Sequence, residues 1–353
     1  MANESLESSG PGRTLVIAEI GVNHDGSRGR GLELVDAAAE AGADAVKLQI
    51  FEAARLLGAG AGLATYQANS GETNAAAMLE RLELSIDDAR ALVNRARERG
   101  LLAIATVFSV ELVEATEGLG LDAYKTASPD IVHRPLIERL AHTGKPLIMS
   151  TGGAEMDEVK RAAGWAREAD AKPPLTLLHC VSSYPTKDDD ASLNGVRALG
   201  EVFCGDGATG LRALVGYSDH TQSVDTGALA VAAGASALEK HLTHDRSAPG
   251  PDHAASLDPG QFAEYVRLVR RAEQMLGPVG KRVQACEREV MAAARQSITS
   301  ARTIEAGARI EAKDVTVKRP GTGLEPWRME DVVGRTAAGR IEADAPIREE
   351  DLK

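Results

Sequence analysis

Eight short apolar runs, each followed by a longer stretch rich in Ala, Leu, Glu and Arg, constrain this fold more than any other feature. The runs lie at 14–20 (TLVIAEI), 44–50 (DAVKLQI), 101–107 (LLAIATV), 121–127 (LDAYKTA), 145–150 (KPLIMS), 174–180 (PLTLLHC), 213–218 (ALVGYS) and 235–241 (ASALEKH). They are almost continuously apolar instead of alternating, the pattern of parallel strands buried on both faces. The stretches between them read as helices. Residues 29–41 end at Gly42; residues 85–99 start from Ser85 as N-cap, with acidic residues in the first turn and Gly100 as the stop. Eight strand–helix repeats predict a TIM (β/α)8 barrel, with a doubly wound sheet as the alternative.

Past residue 280 the texture changes. Residues 261–276 and 281–296 read as helices, and short alternating segments follow, punctuated by Gly307, Gly321, Gly323, Gly334 and Gly339. That is the pattern of a small β-rich domain. The expected organisation is a disordered tail over 1–13, a barrel over 14–282, a linker helix over 283–296 and the β-rich domain over 297–353.

Composition narrows the function. Lys and Arg number 40 against 52 Asp and Glu, a net charge of −12, and 3% of residues are aromatic. This excludes a general nucleic-acid binder, which needs cations for phosphates and rings for bases. No apolar run reaches the roughly 18 residues of a membrane span. Residues 1–12 lack the basic and apolar regions of a secretory signal. Cys180, Cys204 and Cys286 form no CxxC pair, so neither a disulfide framework nor a zinc knuckle is indicated. A cytoplasmic location is expected.

Polar residues crowd the ends of the runs, where a barrel places its chemistry. Glu19, Lys47, Gln49, Thr106, Lys125, Ser128, Asp130, Ser150, Ser182, Tyr184, Ser218, His220, Glu239 and His241 all lie there. Each admits a plain reading. Lys47 and Lys125 either bind an anion or snorkel; two lysines inside a barrel favour the anion. Ser150-Thr151-Gly152-Gly153 is either a turn or a phosphate cradle. His220 and His241, ending adjacent runs, either share a divalent ion or are hydrogen-bonded core residues. His179 reads as structural and His142 as surface. Glu19 is the acid/base candidate, or merely a lysine's partner. Asp252, in Pro249-Gly250-Pro251-Asp252-His253, either accepts from sugar hydroxyls or caps the helix starting near Leu257. Arg319 sits in a basic kinked loop, Lys318–Gly323. On physical grounds the chain reads as a barrel enzyme for a phosphorylated or carboxylated small molecule.

Taken as a set, IAEIGVNHDGS, AGADAVKLQIF, AYKTASPDI, KPLIMSTGG, LLHCVSSYPT, VGYSDHT, ASALEKHLTHDRSAPGPDH and VKRPGTGL resemble the N-acetylneuraminate (sialic acid) synthase family, from about Leu15 to the C-terminus. The last 60 residues resemble that family's antifreeze-like (SAF) domain. The resemblance implies condensation of phosphoenolpyruvate (PEP) with an N-acetylated amino sugar, typically N-acetylmannosamine, with Mn²⁺ or Mg²⁺ as the cofactor. It implies metal ligation by His220 and His241. Lys47, Thr106, Lys125, Ser128, Ser150, Ser182 and Ser218 would bind PEP, and Glu19, Lys47 and Lys125 would be catalytic. Gln49, Asp130, Tyr184, Asp252 and Arg319 would contact the sugar, Arg319 across a domain-swapped homodimer. Asp130 stands where many members carry Glu, Ser182 where some carry Asn, and Pro129 and Ala293 also depart from the pattern. These departures surround the sugar. A legionaminate or, less closely, pseudaminate synthase, a silent sugar-binding relative and a Schiff-base aldolase are the alternatives.

Overall fold

Hydrogen bonding joins the eight apolar runs, in sequence order, into one closed parallel barrel. The computed structural model describes residues 13–171, 175–204 and 213–353. The expected disordered tail, apart from Arg13, and the first residue of the sixth run lie outside the described residues. The strands are β1 (Leu15–Gly21), β2 (Ala45–Ile50), β3 (Leu102–Val107), β4 (Ala123–Thr126), β5 (Leu147–Ser150), β6 (Leu175–Cys180), β7 (Ala213–Asp219) and β8 (Ala237–His241). After them come α1 (Arg28–Glu40), α2 (Ile86–Glu98), α3 (Val110–Glu117), α4 (Arg134–Ala141), α5 (Met156–Glu168), α6 (Asn194–Phe203), α7 (Thr226–Ala232) and α8 (Pro259–Leu276). The TIM-barrel reading holds and the doubly wound alternative falls.

Local signals set the helix ends. Ser85 caps α2, accepting from the Asp88 amide at 3.1 Å. Asp258 caps α8, accepting from Gln261 N at 2.9 Å. Between β2 and α2 the chain makes an excursion through three short helices, Ala53–Leu56, Thr65–Asn69 and Ala75–Leu82.

Two cores result from strand alternation. Outward residues such as Val16, Ala18, Val46 and Leu48 pack against the helices. Inward residues Leu15, Ile17, Ala45, Ile104, Ala123, Ile148, Leu178 and Ala237 plug the barrel floor. One buried ion pair lies outside the barrel lumen. Lys240 Nζ lies 3.0 Å from Asp219 Oδ2, both side chains fully buried, and donates to Thr221 O at 2.6 Å. The same ammonium stands 5.5 Å over the Tyr265 ring. Asp219 and Lys240 are paired across β7 and β8, so the contact pins the register of those strands.

The seam of the barrel joins β1 to β8, with Glu19 opposite His241. Leu242 N donates to Glu19 O at 2.8 Å. Asn23 Nδ2 donates to Leu242 O and Ser256 Oγ at 2.9 and 2.8 Å. Among the described residues no helix is long and apolar enough to cross a membrane.

The chain divides into two compact units, Met1–Pro278 and Val279–Lys353. In the second, the antiparallel pair β9 (Ser297–Ser300) and β10 (Val315–Lys318) closes over a small core including Ile298, Ile310, Ile341 and Ile347. The helix expected over 281–296 is α-helical only over Arg288–Ala294, after a 3-10 turn at Ala285–Glu287. Gly277 and Gly280 adopt positive φ on either side of Pro278, and the helix has no buried residue to extend it.

Candidate active site

Inward parity carries the apolar floor upward into a polar layer. Two residues beyond Ile17, Ala45, Ile104, Ala123, Ile148 and Ala237 stand Glu19, Lys47, Thr106, Lys125, Ser150 and Glu239. The register sets Glu19 opposite Lys47, Thr106 opposite Lys125 and Ser218 opposite Glu239. All are buried. Buried charges must be paired, and these are. Lys47 Nζ lies 2.6 Å from Glu19 Oε2 and donates to Thr106 Oγ1 at 2.9 Å. Lys125 Nζ lies 3.3 Å from Glu239 Oε1, which also accepts from Ser218 Oγ at 3.0 Å. Glu239 Oε2 is 4.0 Å from Lys47, so one carboxylate bridges both lysines.

The two glutamates are tuned apart. Burial raises the Glu19 carboxyl above its usual range; Lys47 offsets this only in part, and the Glu239 charge adds to it. Burial would raise Glu239 too, but Lys125 and Lys47 outweigh it and hold Glu239 low. A pair pushed in opposite directions suits one carboxylate for proton transfer and the other for holding charge.

Beside the lysines, the loop after β5 forms a cradle. Gly152 N donates to Ser128 Oγ at 3.2 Å, and the buried Ser150 hydroxyl has no hydrogen-bond partner. A Cβ at Gly152 would stand 2.4 Å from Ser182 Oγ, 2.7 Å from Ser128 Oγ and 3.0 Å from Cys180 Sγ. A side chain here would push those serine hydroxyls aside. The loop's place beside two lysines favours the anion-cradle reading over the plain turn.

His220 and His241 face each other with ring centroids 5.3 Å apart. His220 Nδ1 is 2.9 Å from Val181 O, which fixes the tautomer and leaves Nε2 with the lone pair. His241 is held neutral by burial, then by the charges of His220, Lys47 and Lys125. Its Nδ1 is buried without a hydrogen-bond partner, 3.5 Å from Asp252 Oδ2. Two facing imidazoles, one of them with a buried nitrogen that has no hydrogen-bond partner, fit a divalent ion whose other ligands are oxygens. Among the described residues no cage of three or more His, Cys, Asp or Glu side chains exists.

Gln49 Nε2 donates to Glu19 Oε1 at 2.7 Å, and Tyr184 packs on His220 with centroids 4.0 Å apart. Asp252 lines the cleft and does not cap α8, a role Asp258 fills. Burial, with the Glu19 charge, pushes Asp252 up to about 6. The cleft brings together all the expected catalytic, PEP, sugar and metal residues except Asp130 and Arg319. Asp130 Oδ2 instead accepts from Ala127 N at 3.3 Å. Arg319 belongs to the second unit, in the loop after β10. His179 is structural, 3.2 Å from Ala191 O through Nε2 and stacked on Tyr217. His142 is exposed. Glu239 and Tyr66 received no role from sequence. Glu239 shares the inward parity of His241, a signal that would have found it. Tyr66 stacks on Tyr184 at 4.8 Å from the excursion after β2, which no barrel periodicity places.

Fold and cleft define a TIM-barrel enzyme of the synthase type with a small β-rich unit appended. The NeuB family model matches residues 34–281 and the SAF domain model residues 295–353. The chain belongs to the NeuB family of nonulosonate synthases. It is 36% identical to the N,N'-diacetyllegionaminic acid synthase of Legionella pneumophila, over 94% of this chain and 92% of that protein. It is 31% identical to the human N-acetylneuraminate-9-phosphate synthase, over 95% of this chain and 91% of that protein. The solved N-acetylneuraminic acid synthetase of Leptospira borgpetersenii, a complex with citrate, superposes with a TM-score of 0.70 at 31% identity, over 79% of this chain and 90% of that one.

Proposed function

We propose that the cleft joins C3 of PEP to the aldehyde carbon of an open-chain N-acetylated amino sugar, N-acetylmannosamine or its 6-phosphate, giving a nine-carbon acid and phosphate. The observation that carries this reading is the polar layer itself: two buried lysines beside an unpartnered serine hydroxyl, facing two imidazoles. Related enzymes are named for mono- and diacetylated products, so the same reading extends to a legionaminate or, less readily, a pseudaminate synthase.

Lys47, Lys125, Thr106, Ser128, Ser150, Ser182 and Ser218 receive the phosphate and carboxylate of PEP. Gln49, Tyr184 and Asp252 hold the sugar, and Asp130 supports its pocket. The C3–C1 bond forms as the enol π electrons leave PEP. Water adds at C2, with Glu19, its carboxyl raised by burial, taking a proton. The proton taken by Glu19 ends on the former aldehyde oxygen as a hydroxyl, and the C2–O bond to phosphate breaks, the phosphate carrying off the remaining C2 hydroxyl proton and leaving the ketone. Glu239 holds both lysines in place. A divalent ion held by His220 and His241, manganese or magnesium, supplies Lewis-acid polarisation when bound. A homodimer in which Arg319 of one copy reaches the sugar in the other is part of the same reading. So is a cytoplasmic setting, in keeping with three cysteines outside any disulfide.

The test is phosphate release from PEP with Mn²⁺ and an acceptor sugar, with and without chelator. Metal-dependent release that needs the sugar is expected. Release without sugar, or release untouched by chelator, overturns the proposal.

A further inference from the structure

Asp252 enters the cleft from a loop, not from a strand or a helix. Residues 242–258 join β8 to α8 and hold no helix or strand beyond a 3-10 turn at His253–Ala255. Pro251 and Asp252 line the cleft; His253, the next residue, does not line it and is buried. Among the described residues no hydrogen bond reaches the Asp252 carboxylate, whose basic neighbour is His241 Nδ1 at 3.5 Å. Its aim therefore comes from the backbone that carries it.

That backbone is held on two sides. On one, Ser256 Oγ donates to Asp252 O at 2.7 Å and accepts from Asn23 Nδ2 at 2.8 Å. On the other, His253 Nε2 donates to Asp25 Oδ1 at 3.1 Å, and Nδ1 lies 2.7 Å from Thr243 Oγ1. Asp25 stands in the loop after β1 at a φ of 51°, its second oxygen taken by Arg30. Gly250 packs against the contact: a Cβ there would be 2.7 Å from His253 Cδ2 and 3.6 Å from Asp25 Oδ1.

Asp25, His253 and Thr243 follow one another as an acid, a base and a nucleophile would. Thr243, however, is wholly buried, does not line the cleft, and donates to Asp245 O at 3.2 Å. No substrate can meet it, so the line of contacts serves geometry.

From this we infer that Asp25 and His253 are a positioning pair, which fastens the loop after β8 to the loop after β1 and so aims Asp252 at the acceptor sugar. The inference rests on the condensation proposed above and deepens it. Neither residue lines the cleft. The groups read as holding PEP stand on β2 to β5 and β7 and just after β4 and β6, so loosening the pair spares them. A misplacement of about 1 Å can cost roughly a hundredfold in rate.

The experiment measures phosphate release from PEP with Mn²⁺, and PEP affinity by calorimetry without sugar. N-acetylmannosamine, its 6-phosphate and a 2,4-diacetamido-2,4,6-trideoxy hexose are each offered, and the best acceptor is carried forward at saturating PEP. His253→Phe keeps a ring and removes both contacts. It should lower kcat/KM for the sugar at least tenfold, with Kd for PEP within twofold of the parent. Asp25→Gly, which tolerates the positive φ, should do the same. Asp25→Asn, whose carbonyl still accepts from Nε2, should restore sugar use to within threefold. The double variant Asp25→Gly/His253→Phe should be no more than twofold worse than either single one. Sugar use within twofold of the parent in both single variants overturns the inference and leaves the condensation standing. So does PEP affinity falling as far as sugar use, the mark of a general brace, and so does Asp25→Asn as impaired as Asp25→Gly. Release by the parent with none of the three sugars overturns the condensation, and the inference with it.

Discussion

Glu239→Gln isolates the electrostatics of the polar layer, because the change keeps the shape of the side chain and removes its charge. Lys47 would retain Glu19 at 2.6 Å. Lys125 would not be so placed: among the described residues, Glu239 is the only carboxylate within 4 Å of it, at 3.3 Å. Removing one partner of a buried pair costs about 3–5 kcal/mol. The amide oxygen can still accept from Ser218 and Lys125, so we take the lower end, about 3 kcal/mol. For a domain of this size that lowers Tm by roughly 6–10 °C. The variant also bares positive charge, so inorganic phosphate should bind it more tightly. A tenfold gain in affinity corresponds to about 1.4 kcal/mol of extra stabilisation at saturating ligand. Thermal melts with and without phosphate, on both proteins, read both effects. A variant that melts within 1 °C of the parent and gains no more from phosphate would refute the reasoning.

Three further outcomes are expected. Gly152→Ala, whose new methyl would press on Ser128 and Ser182, should raise KM for PEP at least tenfold with little change in melting; a KM within twofold of the parent would show that the cradle does not hold the anion. Asp130 is pushed up to about 6, first by burial, with His133, the Ala127 amide and Lys125 acting against it. Between pH 3.8 and about 6 the folded state therefore binds more protons than the unfolded one, so Asp130 makes the protein lose stability as pH rises through that window. Denaturant titrations should show the parent losing about 1–2 kcal/mol relative to Asp130→Asn between pH 4 and 7, and parallel profiles would contradict this. Lys240→Met strands Asp219 and should cost about 3–5 kcal/mol, of which the double variant Lys240→Met/Asp219→Asn recovers at least half; a neutral single variant would mean that the pair pins nothing.

The strands were legible because burial on both faces writes itself as continuous apolar runs, and every run became a strand within three residues of its expected ends. Facing was harder to read. EKH at the end of the eighth run reads as one polar block, yet alternation sends Glu239 and His241 inward and Lys240 outward to Asp219. The excursion over 51–84 has no counterpart in the strand–helix repeat, so periodicity gave no place in the cleft to Tyr66 or Leu79, which only the family resemblance of the YQ and LERLELS segments marked. Over 281–296 charge and alanine suggest a long helix, but with no face buried only Arg288–Ala294 is α-helical. Arg319 shows the other limit: spacing along a chain carries no distance between separate units.

The β1–β8 seam has a consequence for how the enzyme comes into being. Glu19 and Lys47 leave the ribosome early, whereas Glu239, His241 and the segment to Leu257 that backs them are made some 200 residues later. Until then Lys125 lacks its carboxylate and His220 lacks the facing imidazole. A nascent chain is thus catalytically silent however much of the barrel wall has formed. The polar layer is complete only once the last strand docks against the first. A proteolytic cut that releases the last strand should therefore abolish the condensation proposed above.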